Sequence, residues 1–292
     1  TISPTGGSNL VYGYQRLETP STAAVRQINS EYSPNEAKRT KCTASPVILG
    51  GSFQIDRVIA QTSGAINEMN FQIKEKTKAG ANYFHNLVIN GTSASTGTGY
   101  VPNTFDGLKK ILTGKSTEMT TDIDISTSAL LDSNYNALLD ELDTFIALLA
   151  AKPDVLMMNS KMLTKVKSAA RRAGYYDRNK DDFGRTVETY NGIILMDAGQ
   201  YYNGSTTEDV VSTSTPGSDT YGTTDIYAAK LGLDAFHGIS VDGSKMLKTY
   251  LPDLQAPGAV KTGEVELIAG AVLKNSKMAG VLKGIKLLGK TA

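Results

Sequence analysis

The sequence has no tryptophan, a single cysteine and two histidines in 292 residues. With Cys42 alone, no internal disulfide can form and no cysteine cluster can hold zinc. With only His85 and His237, the usual metal ligands and general bases are scarce. An excess of charge is also missing: 30 Lys+Arg against 29 Asp+Glu leave a net +1. A dedicated nucleic-acid reader carries a clear basic surplus, so contact with DNA is expected to be weak and local. No run approaches the roughly 20 apolar residues of a membrane span. The most apolar stretch, 142–151 (LDTFIALLAA), is too short and follows an acidic segment. No signal-peptide pattern opens the chain. Thr1 rather than Met stands first, so something upstream was removed or lies outside the sequence.

What is present suits a folded protein. Apolar residues make up 40% and charged residues 20%, and the length allows one large domain or two modest ones with real cores. Residues 1–10 (TISPTGGSNL) are small and polar and read as an extended arm. Val11, Tyr12 and Tyr14 suit a strand, as do Val25 and Ile28. The polar run 30–41 (SEYSPNEAKRTK) reads as a loop tip around Pro34, and 46–55 (PVILGGSFQI) returns as a strand. A long excursion with a polar tip and little core material is odd for a self-contained domain. It is expected to bury its apolar faces on a neighbour.

A long helix is predicted over 66–89, with Ile59, Ile66, Met69, Ile73, Phe84 and Leu87 near one stripe. Gly80 weakens it and suggests a bend or close packing there. Asn90-Gly91 ends it with a turn. The loop 92–102 is rich in Ser, Thr and Gly, and Phe105–Leu112 reads as a short helix or turn. A second amphipathic helix is predicted over 134–151, carried by Leu138, Leu139, Leu142, Phe145, Ile146 and Leu149 and stopped by Pro153. Residues 154–158 (DVLMM) form a short buried strand. Asn159 or Ser160 caps a third helix reaching Ala173, with Gly174 as terminator. Asn191-Gly192 turns into the strand Ile193–Met196. Residues 203–224 read as a polar surface loop. Further strands are expected at 226–233, 265–273 and 278–288.

The motifs that would announce chemistry are incomplete. Gly114-Lys115-Ser116 would need a Gly at position 109 for a phosphate loop, and Lys109 stands there. Gly97-Thr98-Gly99 lacks the third Gly of the dinucleotide fingerprint, because Pro102 takes its place. Asp122-Ile123-Asp124 could offer two carboxylates to a cation, but alternates as a strand with Ile123 and Ile125 inward. No Gly-x-Ser-x-Gly elbow occurs, and neither histidine has a partner at metal-ligand spacing. Asn90-Gly91-Thr92 and Asn203-Gly204-Ser205 match glycosylation sequons and turn chemistry alike. Arg171, Arg172, Arg178 and Lys180 form the densest basic group, facing DNA or a neighbour, or else a solvated helix end beside Asp177, Asp181 and Asp182. No enzyme, cofactor or metal is expected.

The order of elements is more specific than any motif. FHNLVINGTS (84–93) followed by TFDGLKKIL (104–112), KPDVLMMNSKMLTKVKSAARRAGYYDR (152–178), YNGIILMDAG (190–199) and TDIYAAKLGLDAFHGISV (224–241) together resemble the major capsid proteins of tailed phages with the Hong Kong 97 fold. The resemblance implies an α+β chain divided into an N-terminal arm (1–11), an E-loop (12–55), a P-domain with a long spine helix (56–125), an A-domain (126–249) and return strands (250–292). It implies self-assembly through hexamers and pentamers into an icosahedral shell around double-stranded DNA, in the bacterial cytoplasm and without a membrane. Portal, scaffolding, maturation-protease and decoration proteins are its implied partners, and a start at Thr1 fits removal of a scaffolding segment. The inter-subunit contacts are expected on the E-loop, at Val25, Ile28, Tyr32, Pro34, Lys38 and Arg39. Some members crosslink through a lysine just before the loop-tip proline and an asparagine on a neighbour. Here Ser33 precedes Pro34, Lys38 and Lys41 lie further on, and YLPDLQAPG (250–258) has no asparagine, so no isopeptide bond is expected. The rival readings are an encapsulin-type shell enclosing protein cargo and, further off, a secreted adhesion or glycan-binding module.

Overall fold

The computed structural model describes residues 11–62, 67–93, 104–174, 177–180, 186–241 and 247–291. The expected arm at 1–10, most of the loop 92–102, Ile66 and the side chains of Arg178 and Lys180 lie outside the described residues. In chain order the elements are β1 (Tyr12–Thr19), β2 (Lys38–Ala44), β3 (Val47–Asp56), α1 (Arg57–Gln61), α2 (Glu68–Asn90), α3 (Leu108–Leu112), β4 (Glu118–Thr120) and α4 (Ser128–Ala147). Then come β5 (Val155–Met158), α5 (Ser160–Arg172), β6 (Asp177–Lys180), β7 (Thr186–Tyr190), β8 (Ile193–Asp197), β9 (Gln200–Tyr202) and β10 (Thr207–Asp209). The last are β11 (Gly222–Ala229), β12 (Phe236–Ile239), β13 (Leu247–Tyr250), β14 (Val260–Leu273) and β15 (Ala279–Leu288).

The body is built on a seven-stranded sheet in the order β4-β15-β11-β5-β8-β7-β6. Alternation along its strands sends side chains to two cores. Leu156, Met158, Ile193, Leu195, Ile226 and Ala228 meet Leu138, Leu142 and Phe145 of α4 and Met162, Val166 and Ala169 of α5. Val155, Met157, Tyr227 and Ala229 point the other way, against Leu108 and Leu112 of α3, Ile89 of α2 and the pair Val210-Val211. The parallel pairing of β5 with β8 explains the unbroken apolar run 155–158, which is buried on both faces.

Asn159 is the buried hinge of this unit. Its Oδ1 accepts from the Met162 amide at 2.8 Å, which caps α5. Its Nδ2 donates to the Val211 carbonyl, Thr213 Oγ1 and Thr224 Oγ1. A fully buried amide satisfied on all sides fixes the 210–214 segment and β11 to one helix end. The expected polar loop at 203–224 is therefore corrected. It contains β10, and Val210 and Val211 return to the core, held also by Asn90 Nδ2 on the Val210 carbonyl at 2.7 Å.

A second layer is centred on β14. It pairs with β3 from Val260↔Asp56 to Ala269↔Val47, with β13 from Leu267↔Leu247 to Glu264↔Tyr250, and with β12 through its last four residues. Val47, Leu49, Phe105, Leu87 and Ala271 form the core beneath it, with Tyr83 and Phe84 of α2 packed alongside.

Several helix expectations need revision. α2 begins at Glu68, because Asn67 caps it by accepting from Asn70. Ile59 sits instead in the separate α1, capped by Asp56, where no residue is buried. Gly80 lies inside a continuous α2 and a Cβ there would touch nothing, so close packing does not explain it. Gly91 ends α2 with negative φ. It is required by closeness rather than handedness: a Cβ would stand 2.6 Å from the Phe105 carbonyl oxygen, where the chain recrosses and Gly107 donates to Gly91 at 2.8 Å. α4 starts at Ser128, earlier than predicted, because Thr127 caps it through the Leu130 amide. Residues 122–125 run beside β15 with Ile125 buried, joined at Asp124↔Lys286. The late strands are also offset from expectation, running 222–229, 260–273 and 279–288.

Candidate assembly surfaces

β1 and β2 pair antiparallel from Tyr12↔Ala44 to Thr19↔Lys38. Alternation gives this hairpin two faces. Tyr12, Tyr14, Arg16, Thr40, Cys42 and Ala44 share the face toward the body. Gly13, Gln15, Leu17, Arg39, Lys41 and Thr43 share the other. The inner face is tied down at few points. Arg16 Nε donates to the Leu273 carbonyl at 3.3 Å, Arg16 Nη2 donates to the Tyr14 hydroxyl at 2.9 Å, and Tyr12 meets the His237 ring edge-on at 6.1 Å. His237 is buried in β12. Burial, then the nearby Lys274 charge, holds its pKa below the usual histidine value.

Beyond this root the chain leaves the body. Every residue from Leu17 to Lys41 is exposed. Val25 is 101% exposed, Ile28 91% and Tyr32 60%. The expected strand through Val25 and Ile28 is absent, and Lys38–Lys41, expected at the tip, belong to β2. The tip also moves: Thr19 faces Lys38, so the midpoint of the connection falls at Ile28–Asn29, not at Pro34. There Ser30 N and Ser30 Oγ both bond the Gln27 carbonyl, and Asn29 takes a left-handed φ of 64°. Arg26 donates to the carbonyls of Gln27 and Ser30 and lies 5.6 Å from the Tyr32 ring centroid. Asn35 donates to Thr22 across the loop at 2.8 Å. The loop is thus internally organised without touching a core. All six contact candidates, Val25, Ile28, Tyr32, Pro34, Lys38 and Arg39, lie on it or on β2, and all are exposed.

A second exposed apolar group escaped the sequence reading. Val58 and Ile59 of α1, Phe71 of α2 and Val260 of β14 are each about half exposed or more. Ile59 fitted a helical stripe and so looked inward-facing. The exposed Ile48, Tyr250 and Leu251 extend this apolar surface along the β14 layer.

No group of three or more His, Cys, Asp or Glu among the described residues could hold a metal ion. The Gly114-Lys115-Ser116 segment is an exposed turn with Gly114 at φ 73°. A cavity of about 620 Å³ lies between α2 and the β9–β10 hairpin and is lined by Glu75, Lys78, Asn82, Asp197, Tyr201 and Tyr202 among others. Arg172 bonds Asp132 of α4 at 2.5 Å, which ties part of the basic group to the body. No described helix is long and apolar enough to cross a membrane.

A two-layered body, a long helix under one sheet and a projecting hairpin define the Hong Kong 97-type α+β shell fold. The chain is similar to the holo-SrpI encapsulin complex from Synechococcus elongatus PCC 7942, at 12% identity and TM-score 0.67 over 99% of this chain and 86% of that one. It is also similar to the capsid of the native GTA particle (12%, TM-score 0.58, 96% and 86%) and to Mycobacterium phage Bobi (12%, TM-score 0.58, 96% and 87%). No curated protein sequence matches it significantly. The SU10 major capsid protein family matches residues 38–194, more than half of the chain, so the chain belongs to that family. It is a structural subunit of a phage head, and the adhesion-module reading falls away.

Proposed function

We propose that the excursion is the grip by which each subunit holds the next in hexamers and pentamers, through Val25, Ile28, Tyr32, Pro34, Lys38 and Arg39. The observation that carries this is the uninterrupted exposure of residues 17–41, with three large apolar side chains more than half in water. Full burial of one such side chain is worth about 1.5–3 kcal/mol, and a shell repeats the gain at every contact. The division into arm (1–11), E-loop (12–55), P-domain (56–125), A-domain (126–249) and return strands (250–292) belongs to the same reading.

The shell is held without covalent crosslinks. The organised tip at 27–30 has no lysine, and Lys38 sits back at the start of β2. Mass spectrometry of denatured particles should find only the monomer mass; a ladder of multiples overturns this. A net charge of +1 suits a wall that contains DNA without gripping it, and no catalytic role is assigned. The shell forms in the host cytoplasm around double-stranded DNA.

The fold is shared with an encapsulin, and particle contents test the phage-head reading directly against its alternative, a shell around protein cargo. Negative-stain microscopy of the purified chain should show closed icosahedral particles. Nuclease-protected DNA in particles from infected cells supports the phage head, whereas a packed enzyme supports the alternative.

A further inference from the structure

A cavity of about 440 Å³ lies at the root of the β1–β2 hairpin, within the size range of small-ligand sites. Separate stretches of chain build it: Tyr14 and Arg16 of β1, Ser45 between β2 and β3, and Asp106, Lys110 and Lys115 in and around α3. Its charges do not balance. Arg16, Lys110 and Lys115 face the one carboxylate of Asp106, three cations against one anion, which leaves two positive charges in excess. Asp106 is already engaged. Its Oδ1 accepts from the Ser93 amide at 2.8 Å, the Ser93 hydroxyl at 2.6 Å and Lys110 at 2.8 Å. Neither Arg16 nor Lys115 has an ion-pair partner among the described residues. Arg16 is half-buried. Its Nε donates to the Leu273 carbonyl and its Nη2 to the Tyr14 hydroxyl, and its Nη1 has no acceptor among the described residues. A guanidinium drawn partly out of water is best matched by a forked anion, a carboxylate or a phosphate. The Tyr14 hydroxyl accepts from Arg16, so its own proton is available to a further acceptor. The half-buried Ser45 adds a second hydroxyl. The cavity is thus rich in donors and short of acceptors.

We propose that this cavity binds an oxyanion of the phosphate class, held by Arg16 and Lys115 together with the Tyr14 and Ser45 hydroxyls. A phosphate group carries about −1.5 to −2 charge at pH 7, which matches the excess in the cavity, whereas a single carboxylate leaves half of it unmatched. Recognition is by side chains: Lys115 reaches the cavity from the turn after α3 and does not need the phosphate loop that Gly114-Lys115-Ser116 fails to complete. The bound group joins β1 to that turn. Without it the root meets the body at few points, through Arg16 on the Leu273 carbonyl and Tyr12 against His237. Occupancy therefore stiffens the base from which the hairpin projects. Two sources offer this chemistry, free inorganic phosphates and the phosphates of a DNA backbone.

Isothermal titration of the full chain with sodium pyrophosphate at fixed ionic strength tests it. One saturable site per chain is expected, with a dissociation constant below about 1 mM. Arg16→Gln with Lys115→Gln should weaken binding by about tenfold or more. Lys74→Gln with Lys78→Gln removes the same charge from α2 and should leave the affinity unchanged. Amide exchange at residues 12–16 and 113–117 should slow when pyrophosphate is added to the wild-type chain and not when it is added to the Arg16, Lys115 variant. The absence of saturable binding overturns the site, and so does equal weakening by the two pairs of substitutions or by neither. Succinate that binds as tightly as pyrophosphate overturns the phosphate class. With pyrophosphate bound as expected, a short DNA duplex that displaces it identifies the backbone as the source, and a duplex that does not identifies the free anion. Thermal unfolding checks that each variant folds. If the Arg16, Lys115 variant does not, the exposed Lys115 is changed alone: a severalfold loss of affinity for Lys115→Gln supports the site, and unchanged affinity overturns it.

Discussion

Strands β5 and β2 show how differently one chain can use the same secondary structure. β5 reads Val-Leu-Met-Met and all four residues are buried, on two cores at once. β2 reads Lys-Arg-Thr-Lys-Cys-Thr-Ala and none of its residues is buried. The first is held by what surrounds it. The second is held only by its ladder to β1 and by a few contacts at the root, and a two-stranded hairpin alone is marginal in water. The difference separates a region whose strands are held by their own core from one whose strands have no core of their own.

Four measurements sharpen or break that contrast. Leu142→Ala opens a cavity between α4 and the sheet and should lower the unfolding free energy of the monomer by about 2–5 kcal/mol, read by urea titration. Asn159→Ala removes a cap and leaves the Val211 carbonyl and two hydroxyls without their shared donor. It should cost about 1–3 kcal/mol, with faster amide exchange at the start of α5 and in 210–214. His237→Gln acts at the boundary between the regions. Its folded pKa lies below the unfolded value near 6.5, so the unfolded chain takes up the proton first. Stability should fall as pH drops through about 6.5 toward the folded pKa, and Gln should flatten that slope in melting curves between about pH 5 and 7.5. Val25→Ser with Ile28→Ser should change monomer stability by less than about 0.5 kcal/mol, yet abolish or strongly reduce closed particles in negative stain. A large loss of monomer stability there would mean that the excursion packs on its own body after all.

The body was legible in the sequence because local signals and burial agree there. The stripe on α4, the all-apolar β5, the Asn159 cap and the Asn191-Gly192 turn, with both residues at positive φ, each name their own structure. The layer around β14 was less legible. Its β3–β14 ladder joins Val47–Asp56 to Val260–Ala269, far apart in the chain, and no local pattern reveals a register of that kind. The excursion misled in detail. Pro34 marks a turn by chemistry, but the tip is set by the ladder, which places Thr19 against Lys38 and the midpoint at Ile28–Asn29. Ile59 misled for a related reason: helical periodicity assumes that the apolar side of a helix meets its own chain, and on α1 it does not. The exposure of Val25, Ile28 and Tyr32 was legible through the one signal a sequence has for it, apolar side chains with no core to enter.

The pairing of β14 and β15 with strands laid down long before them also sets a clock. β14 completes the layer begun by β3, and β15 is inserted between β4 and β11, inside the seven-stranded sheet. A nascent chain that has reached residue 250 therefore holds both hairpin strands but neither finished sheet, and lacks Leu273, to which the hairpin root is tied. Synthesis must pass residue 288 before both sheets of the body can be complete.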